Sequence, residues 1–145
     1  MKSHLPEDWN SLECITSVVP DALGLPGYPF TGLVLNIQAV TEAHKDPMDG
    51  SLCMVIPFGP IKNPGETPWN GAGLCFAELG QVWKLANYQP VLFDSQRITH
   101  FNLKGHGYRC SLVLSIDKAL YKYEETNRNH WGKHINTGVC NSDDI

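Results

Sequence analysis

Gly107-Tyr108-Arg109-Cys110-Ser111-Leu112-Val113-Leu114-Ser115-Ile116 is the strongest strand-like run in the chain. Glycine opens it, and from Cys110 onward it is almost wholly apolar, broken only by small hydroxyls. Shorter runs of the same kind precede it at residues 32–40, 51–58, 74–76, 81–85, 91–93 and 98–101. In the first of these, Leu33, Leu35, Ile37 and Ala39 alternate with Val34, Asn36, Gln38 and Val40, which gives one apolar and one mixed face. Turn formers separate the runs, as in Asp46-Pro47-Met48-Asp49-Gly50, and residues 59–73 form a long loop rich in Pro, Gly and Asn. Many short strands broken by turns predict a mainly β protein, a small jelly roll or barrel. Residues 118–125 read as a helix, residues 12–19 as a short helix or strand, and residues 127–145 as a polar, irregular tail. The expected architecture is a jelly roll with one or two flanking helices.

A chain of 145 residues suits one domain with one core, here expected over about residues 31–117, followed by a C-terminal helix and tail at 118–145. Hydrophobic residues at 42% and charged residues at 18% exclude a disordered chain. The formal charge is −4 and the 11 basic residues are scattered, so no linear basic patch for gripping nucleic acid exists. Cys14, Cys53, Cys75, Cys110 and Cys140 form no Cys-x-x-Cys pair and are odd in number, which reads as buried thiols in a reducing, intracellular protein. No apolar run approaches the length of a membrane span, and residues 1–8 lack a signal-peptide core.

Three residues carry the chemistry. His44 and Asp46 stand two apart in Ala43-His44-Lys45-Asp46-Pro47, so on extended backbone they point to the same side. His100 lies in the later strand-like run Thr99-His100-Phe101. Two imidazoles and a carboxylate with other positions open form the ligand set of a non-haem Fe(II) oxygenase. The ordinary reading is a chance His-x-Asp and a satisfied core histidine. Arg109 enters an apolar strand, where a charge is costly unless paired. Its planar fork suits the distal carboxylate of 2-oxoglutarate, with Ser111 on the same face adding a hydroxyl. The alternative is an internal ion pair with Glu78 or Asp94. Asn36 either bonds the keto-acid end of that co-substrate or satisfies a backbone group. Trp69, in Pro68-Trp69-Asn70-Gly71, reads as exposed and free to stack on a flat substrate, whereas Phe58 and Phe76 read as core. His130 and His134 stand four apart but lack the intervening Glu of a zinc protease.

Several segments together resemble the TET/JBP-like branch of 2-oxoglutarate and Fe(II)-dependent dioxygenases, in particular the compact forms abundant in basidiomycete fungi. They are Leu35-Asn36-Ile37, His44-Lys45-Asp46-Pro47-Met48-Asp49, Val55-Ile56-Pro57-Phe58-Gly59, Ala77-Glu78-Leu79-Gly80, Phe93-Asp94-Ser95, Thr99-His100-Phe101-Asn102 and Arg109-Cys110-Ser111-Leu112-Val113-Leu114. The resemblance implies a double-stranded β-helix of jelly-roll or cupin-like form. It implies iron on His44, Asp46 and His100, with Arg109 gripping 2-oxoglutarate and molecular oxygen as the oxidant. It also implies oxidation of the methyl group of 5-methylcytosine or thymine in DNA, and a nuclear location if DNA is the substrate. Prolyl hydroxylases share the iron motif but usually place Lys where this chain has Arg109. Many relatives carry Pro-Gly-Asp before the strand of the second histidine, where this chain reads Tyr88-Gln89-Pro90-Val91. Two further readings stand beside this one: a small-molecule or protein hydroxylase of the same superfamily, and a non-catalytic β-barrel binding module.

Overall fold

A computed structural model describes residues 2–20, 24–50, 52–60 and 68–131, with 127–131 described as helical backbone. The described elements run α1 (Pro6–Thr16), β1 (Gly32–Ile37), β2 (Cys53–Phe58), β3 (Trp69–Gly71), β4 (Leu74–Phe76), β5 (Gln81–Trp83), β6 (Val91–Phe93), β7 (His100–Asn102), β8 (Gly105–Gly107), β9 (Cys110–Ser115) and α2 (Lys118–Trp131). The expected mainly β fold with a helix at either end is what forms. Every strand pairing among the described residues is antiparallel. The strands assemble as a four-stranded sheet β1-β9-β2-β6, a three-stranded sheet β5-β4-β7 and a two-stranded ribbon β3-β8.

The run expected as one strand over residues 107–116 is divided: Gly107 ends β8, and Cys110–Ser115 forms β9, inside the larger sheet. Strand β9 pairs with β1 from Gly32↔Ser115 to Ile37↔Cys110, and with β2 from Met54↔Leu114 to Phe58↔Cys110. Both faces of this sheet are covered, which explains why β2 reads as a continuous apolar run. Side chains alternate across a strand, so Cys53 and Val55 face one way and Met54 and Ile56 the other. The first pair joins Leu74, Phe76, Val91 and Phe93 in a core between the two larger sheets. The second pair packs with Leu12, Ile15, Phe30, Leu114 and Ile116 beneath the helices. Phe76 and Phe93 meet edge to face with centroids 4.9 Å apart, tying β4 to β6. The outer strand β1 is less covered: Leu33, Leu35 and Ile37 are between 48% and 56% exposed.

Several expectations change. The first helix spans Pro6–Thr16, earlier than residues 12–19. Pro6 sits in its first turn with Glu7 and Asp8, both favourable at a helix N-terminus. The C-terminal helix extends to Trp131, so the start of the tail expected to be irregular is helical; residues 132–145 lie outside the described residues. The ribbon β3-β8 was not anticipated, because its strands read Trp-Asn-Gly and Gly-His-Gly and Gly counts as a strand breaker. Here the glycine is required. Gly107 has φ +98°, and a Cβ there would run into the Pro68 carbonyl and the Trp69 Cα. That pairing also overturns the expected exposure of Trp69, which is buried. Cys53, Cys75 and Cys110 are free, buried thiols as expected, whereas Cys14 is disulfide-bonded and departs from that reading. No helix among the described residues is long and apolar enough to cross a membrane.

Candidate metal centre and its cavity

His44 and His100 are brought together by backbone pairing. They form an antiparallel bridge in which His44 N–H donates to His100 O at 3.1 Å and His100 N–H donates to His44 O at 2.9 Å. Residues so paired project their side chains to the same side, and the two rings lie 4.5 Å apart. Asp46, two residues on, returns to that side. Its Oδ2 is 3.4 Å from His100 Nε2 and its Oδ1 is 3.8 Å from His44 Nε2. One donor atom from each residue falls within 4.8 Å of the other two.

The other ring nitrogens decide the chemistry. His44 Nδ1 lies 2.6 Å from the Glu42 carbonyl and His100 Nδ1 lies 3.0 Å from the Ile98 carbonyl. A carbonyl only accepts, so each Nδ1 carries a proton and donates it. In the neutral rings both Nε2 lone pairs then face the Asp46 carboxylate. Three electron-rich atoms converge with nothing positive between them, and the backbone acceptors fix the ring orientation as outer partners of metal-bound histidines do. This donor set fits a divalent cation. Two nitrogens and a carboxylate suit iron and leave positions for other ligands.

The surroundings hold the three in place. Phe93 packs edge-on against the His100 ring at 4.8 Å, and His100 is buried while His44 and Asp46 are half-exposed. The fully buried Ser95 accepts the Asp46 N–H on its carbonyl at 2.9 Å, and its Oγ donates to Asp49 Oδ2 at 2.7 Å. Gln96 Nε2 reaches the Pro47 and Asp49 carbonyls at 3.4 and 3.3 Å. The turn bearing Asp46 is thus clamped onto the segment that follows β6. On the opposite side, Glu78 accepts the Thr99 N–H and Thr99 Oγ1–H, each at 2.7 Å, and pairs with Lys45 Nζ at 3.2 Å. Glu78 therefore grips the immediate neighbours of all three donors.

The Thr99 hydroxyl bond is the main cause that holds the Glu78 carboxyl down at about 2. Because the folded value lies below the ordinary 4.5, Glu78's contribution is complete above 4.5 and is lost as pH falls through about 2. Glu78→Gln is expected to flatten the acid-unfolding limb in that window and to weaken divalent-metal binding about tenfold. Acid titration and metal competition measure the two effects. Wild-type metal affinity in the variant would show that Glu78 does not position the donors.

The donors open into a cavity of about 290 Å³, whose walls include Asn36, Cys53, Val55, Asn102, Ser111 and Val113. Asn36 and Ser111 are partners across β1 and β9 and line this cavity together. Burial, then the Asp49 and Asp46 carboxylates, pushes the Cys53 thiol up to about 12, so it stays protonated as part of the wall. Arg109 is also buried, but it borders an adjoining cavity of about 140 Å³ with Trp69 and Lys104. Its Nη1 donates to Asn102 Oδ1 at 3.1 Å, and its guanidinium lies 6.0 Å from the Trp69 ring centroid. The internal ion pairs considered for it do not form: Glu78 engages Lys45, and Asp94 engages Arg97. No carboxylate pairs with Arg109 among the described residues, and burial lowers its guanidinium from the ordinary value.

No family model matches the sequence, and no curated protein does either. Among solved structures the chain matches NgTET1, determined in complex with 5mC DNA, with a TM-score of 0.60 at 20% identity over 90% of this chain. The mainly β fold, with its antiparallel sheets and two helices, is similar to that of NgTET1. The chain spans half the length of the NgTET1 chain it matches.

Within this NgTET1-like fold, the structure unites His44, Asp46 and His100 with Asn36 and Ser111, and sets Arg109 one residue away behind Asn102. Asn102, Ser95 and Glu78 were not singled out as site residues. Asn102 had a usable signal, since a residue two beyond His100 shares its strand face. Ser95 and Glu78 lie in segments that carry the resemblance, but nothing local marks their contacts, because their partners are distant in sequence. Trp69 lies against Arg109 and is not a free stacking platform. The side chains of His130 and His134 lie outside the described residues.

Proposed function

We propose that this chain is a 2-oxoglutarate- and Fe(II)-dependent dioxygenase that hydroxylates a C–H bond, with a methylated base in nucleic acid as its leading substrate class. One observation carries the reading: two imidazole lone pairs and one carboxylate converge at the wall of a cavity within a TET-type fold. His44 Nε2, His100 Nε2 and the Asp46 carboxylate would hold the iron. When bound, iron in such a site activates molecular oxygen at the expense of 2-oxoglutarate, which leaves as succinate and carbon dioxide while a substrate C–H bond gains a hydroxyl.

The chain's own residues supply binding, orientation and dryness. Arg109 offers a buried, uncompensated positive fork to the distal carboxylate of the co-substrate. Ser111 and Asn36 offer a hydroxyl and an amide along the cavity between β9 and β1. Val55, Val113 and the protonated Cys53 give that cavity apolar walls, which limit water near the donors. A base in a duplex must be flipped out to reach them. NgTET1 was captured with 5mC DNA, which favours nucleic acid. The net charge of −4 favours a small-molecule or protein substrate of the same chemistry.

Anaerobic titration with Fe(II) and then 2-oxoglutarate tests the class. A visible metal-to-ligand charge-transfer band is expected, and a well-folded protein without it points instead to a binding module. Succinate release stimulated by 5-methylcytosine DNA, with binding that weakens steeply as salt rises, then supports nucleic acid. Salt-insensitive, weak DNA binding directs the search to the other substrate classes.

A further inference from the structure

Asn102 stands between the triad cavity and the buried cation. It lies two residues beyond His100 on β7, lines the same cavity, and has its backbone N–H held by Thr41 Oγ1 at 2.9 Å. Its Oδ1 accepts from Arg109 Nη1 at 3.1 Å. Its Nδ2 has no hydrogen-bond partner among the described residues. The carboxamide thus turns its acceptor to the cation and keeps a donor in reserve. Being neutral, it leaves the charge of Arg109 uncancelled. A carboxylate at this position would hold Arg109 equally well in space but would neutralise it.

We propose that Asn102 is a specificity-determining residue for the co-substrate. It positions the Arg109 fork without quenching it, and its Nδ2 gives the distal carboxylate of a 2-oxo diacid a second donor. The inference rests on the dioxygenase reading and deepens it. An amide donor on the cavity wall, backed by the cation it holds from the adjoining cavity, favours an acid with a carboxylate at each end. A 2-oxo monoacid gains nothing from them.

Two variants separate this role from simple support. Asn102→Asp is nearly isosteric and strengthens the bond to Arg109, so a purely structural residue would tolerate it. The proposal predicts the reverse, because an internal ion pair removes the charge the diacid needs. Calorimetric titration of Fe(II)-loaded protein under nitrogen is expected to show 2-oxoglutarate affinity falling about 100-fold in Asn102→Asp. Asn102→Ala, which loses one donor but keeps the free cation, is expected to lose about tenfold. The preference for 2-oxoglutarate over 2-oxobutyrate should collapse in Asn102→Asp, with Fe(II) affinity and thermal midpoint not reduced. If Asn102→Asp binds 2-oxoglutarate as the wild type does, or keeps its preference for the diacid, the proposal fails while the dioxygenase reading stands. If iron-loaded wild type binds no 2-oxoglutarate, both fall together.

Discussion

Asp46→Asn is expected to cut Fe(II) affinity by more than the roughly 100-fold that losing an outer partner of a metal ligand costs. The side chain keeps its size, and the backbone bond from Asp46 N–H to the Ser95 carbonyl is unaffected. What disappears is the only negative charge among the three converging atoms. The two Nε2 lone pairs remain, and the single amide nitrogen, placed where Asp46 Oδ2 now stands 3.4 Å from His100 Nε2, can donate to that lone pair. The metal-free variant should therefore unfold at the same denaturant concentration as the wild type or a higher one. Competition with a metal indicator and a denaturant titration give the two halves of the result. Undiminished iron binding would remove Asp46 from the ligand set and, with it, the centre as described.

Arg109→Met is expected to separate co-substrate binding from stability in the other direction. Removing one member of a buried, hydrogen-bonded charge pair costs about 2–5 kcal/mol, which corresponds to roughly 30-fold to several thousand-fold in affinity for 2-oxoglutarate. Iron alone should bind as before, because Arg109 borders the adjoining cavity and not the triad. In the ligand-free protein, the guanidinium is buried with one neutral acceptor and the Trp69 ring nearby, and with no carboxylate among the described residues. Replacing such a group by an apolar side chain of similar length is often neutral or stabilising. Thermal unfolding of the ligand-free variant should thus show no loss, while the charge-transfer band on adding 2-oxoglutarate vanishes. A strongly destabilised variant would mean that Arg109 serves the fold. Arg109→Lys is a useful companion, since a point charge cannot reproduce the two parallel bonds of the fork.

Much of this arrangement is legible in the residues, for an identifiable reason. Strand side chains alternate with period two, so His44 and Asp46 can be assigned to one side without knowing their neighbours, whereas Arg109, expected beside Ser111, precedes β9 and borders the adjoining cavity. The same rule applied once more would have found Asn102. Where local rules conflict with pairing, they fail. Gly105 and Gly107 read as breakers, yet they let β8 lie against β3, and that contact buries Trp69. The helix α1 begins before its apolar residues, because Pro6 and two acids favour a start there.

The amino-acid sequence by itself determines a mainly β chain, strands within residues 51–58 and 107–116, the same-side placement of His44 and Asp46, and a fixed charge just ahead of an apolar strand. These are properties of neighbouring residues and follow from backbone geometry. Only the tertiary structure decides that His100 pairs with His44, that Ser95 and Glu78 clamp the segments bearing the donors, and that Asn102 rather than an acid meets Arg109. Each of these joins residues far apart along the chain. Which strand lies beside which is set by burying the two apolar faces of the central sheet together, a condition no single segment can express.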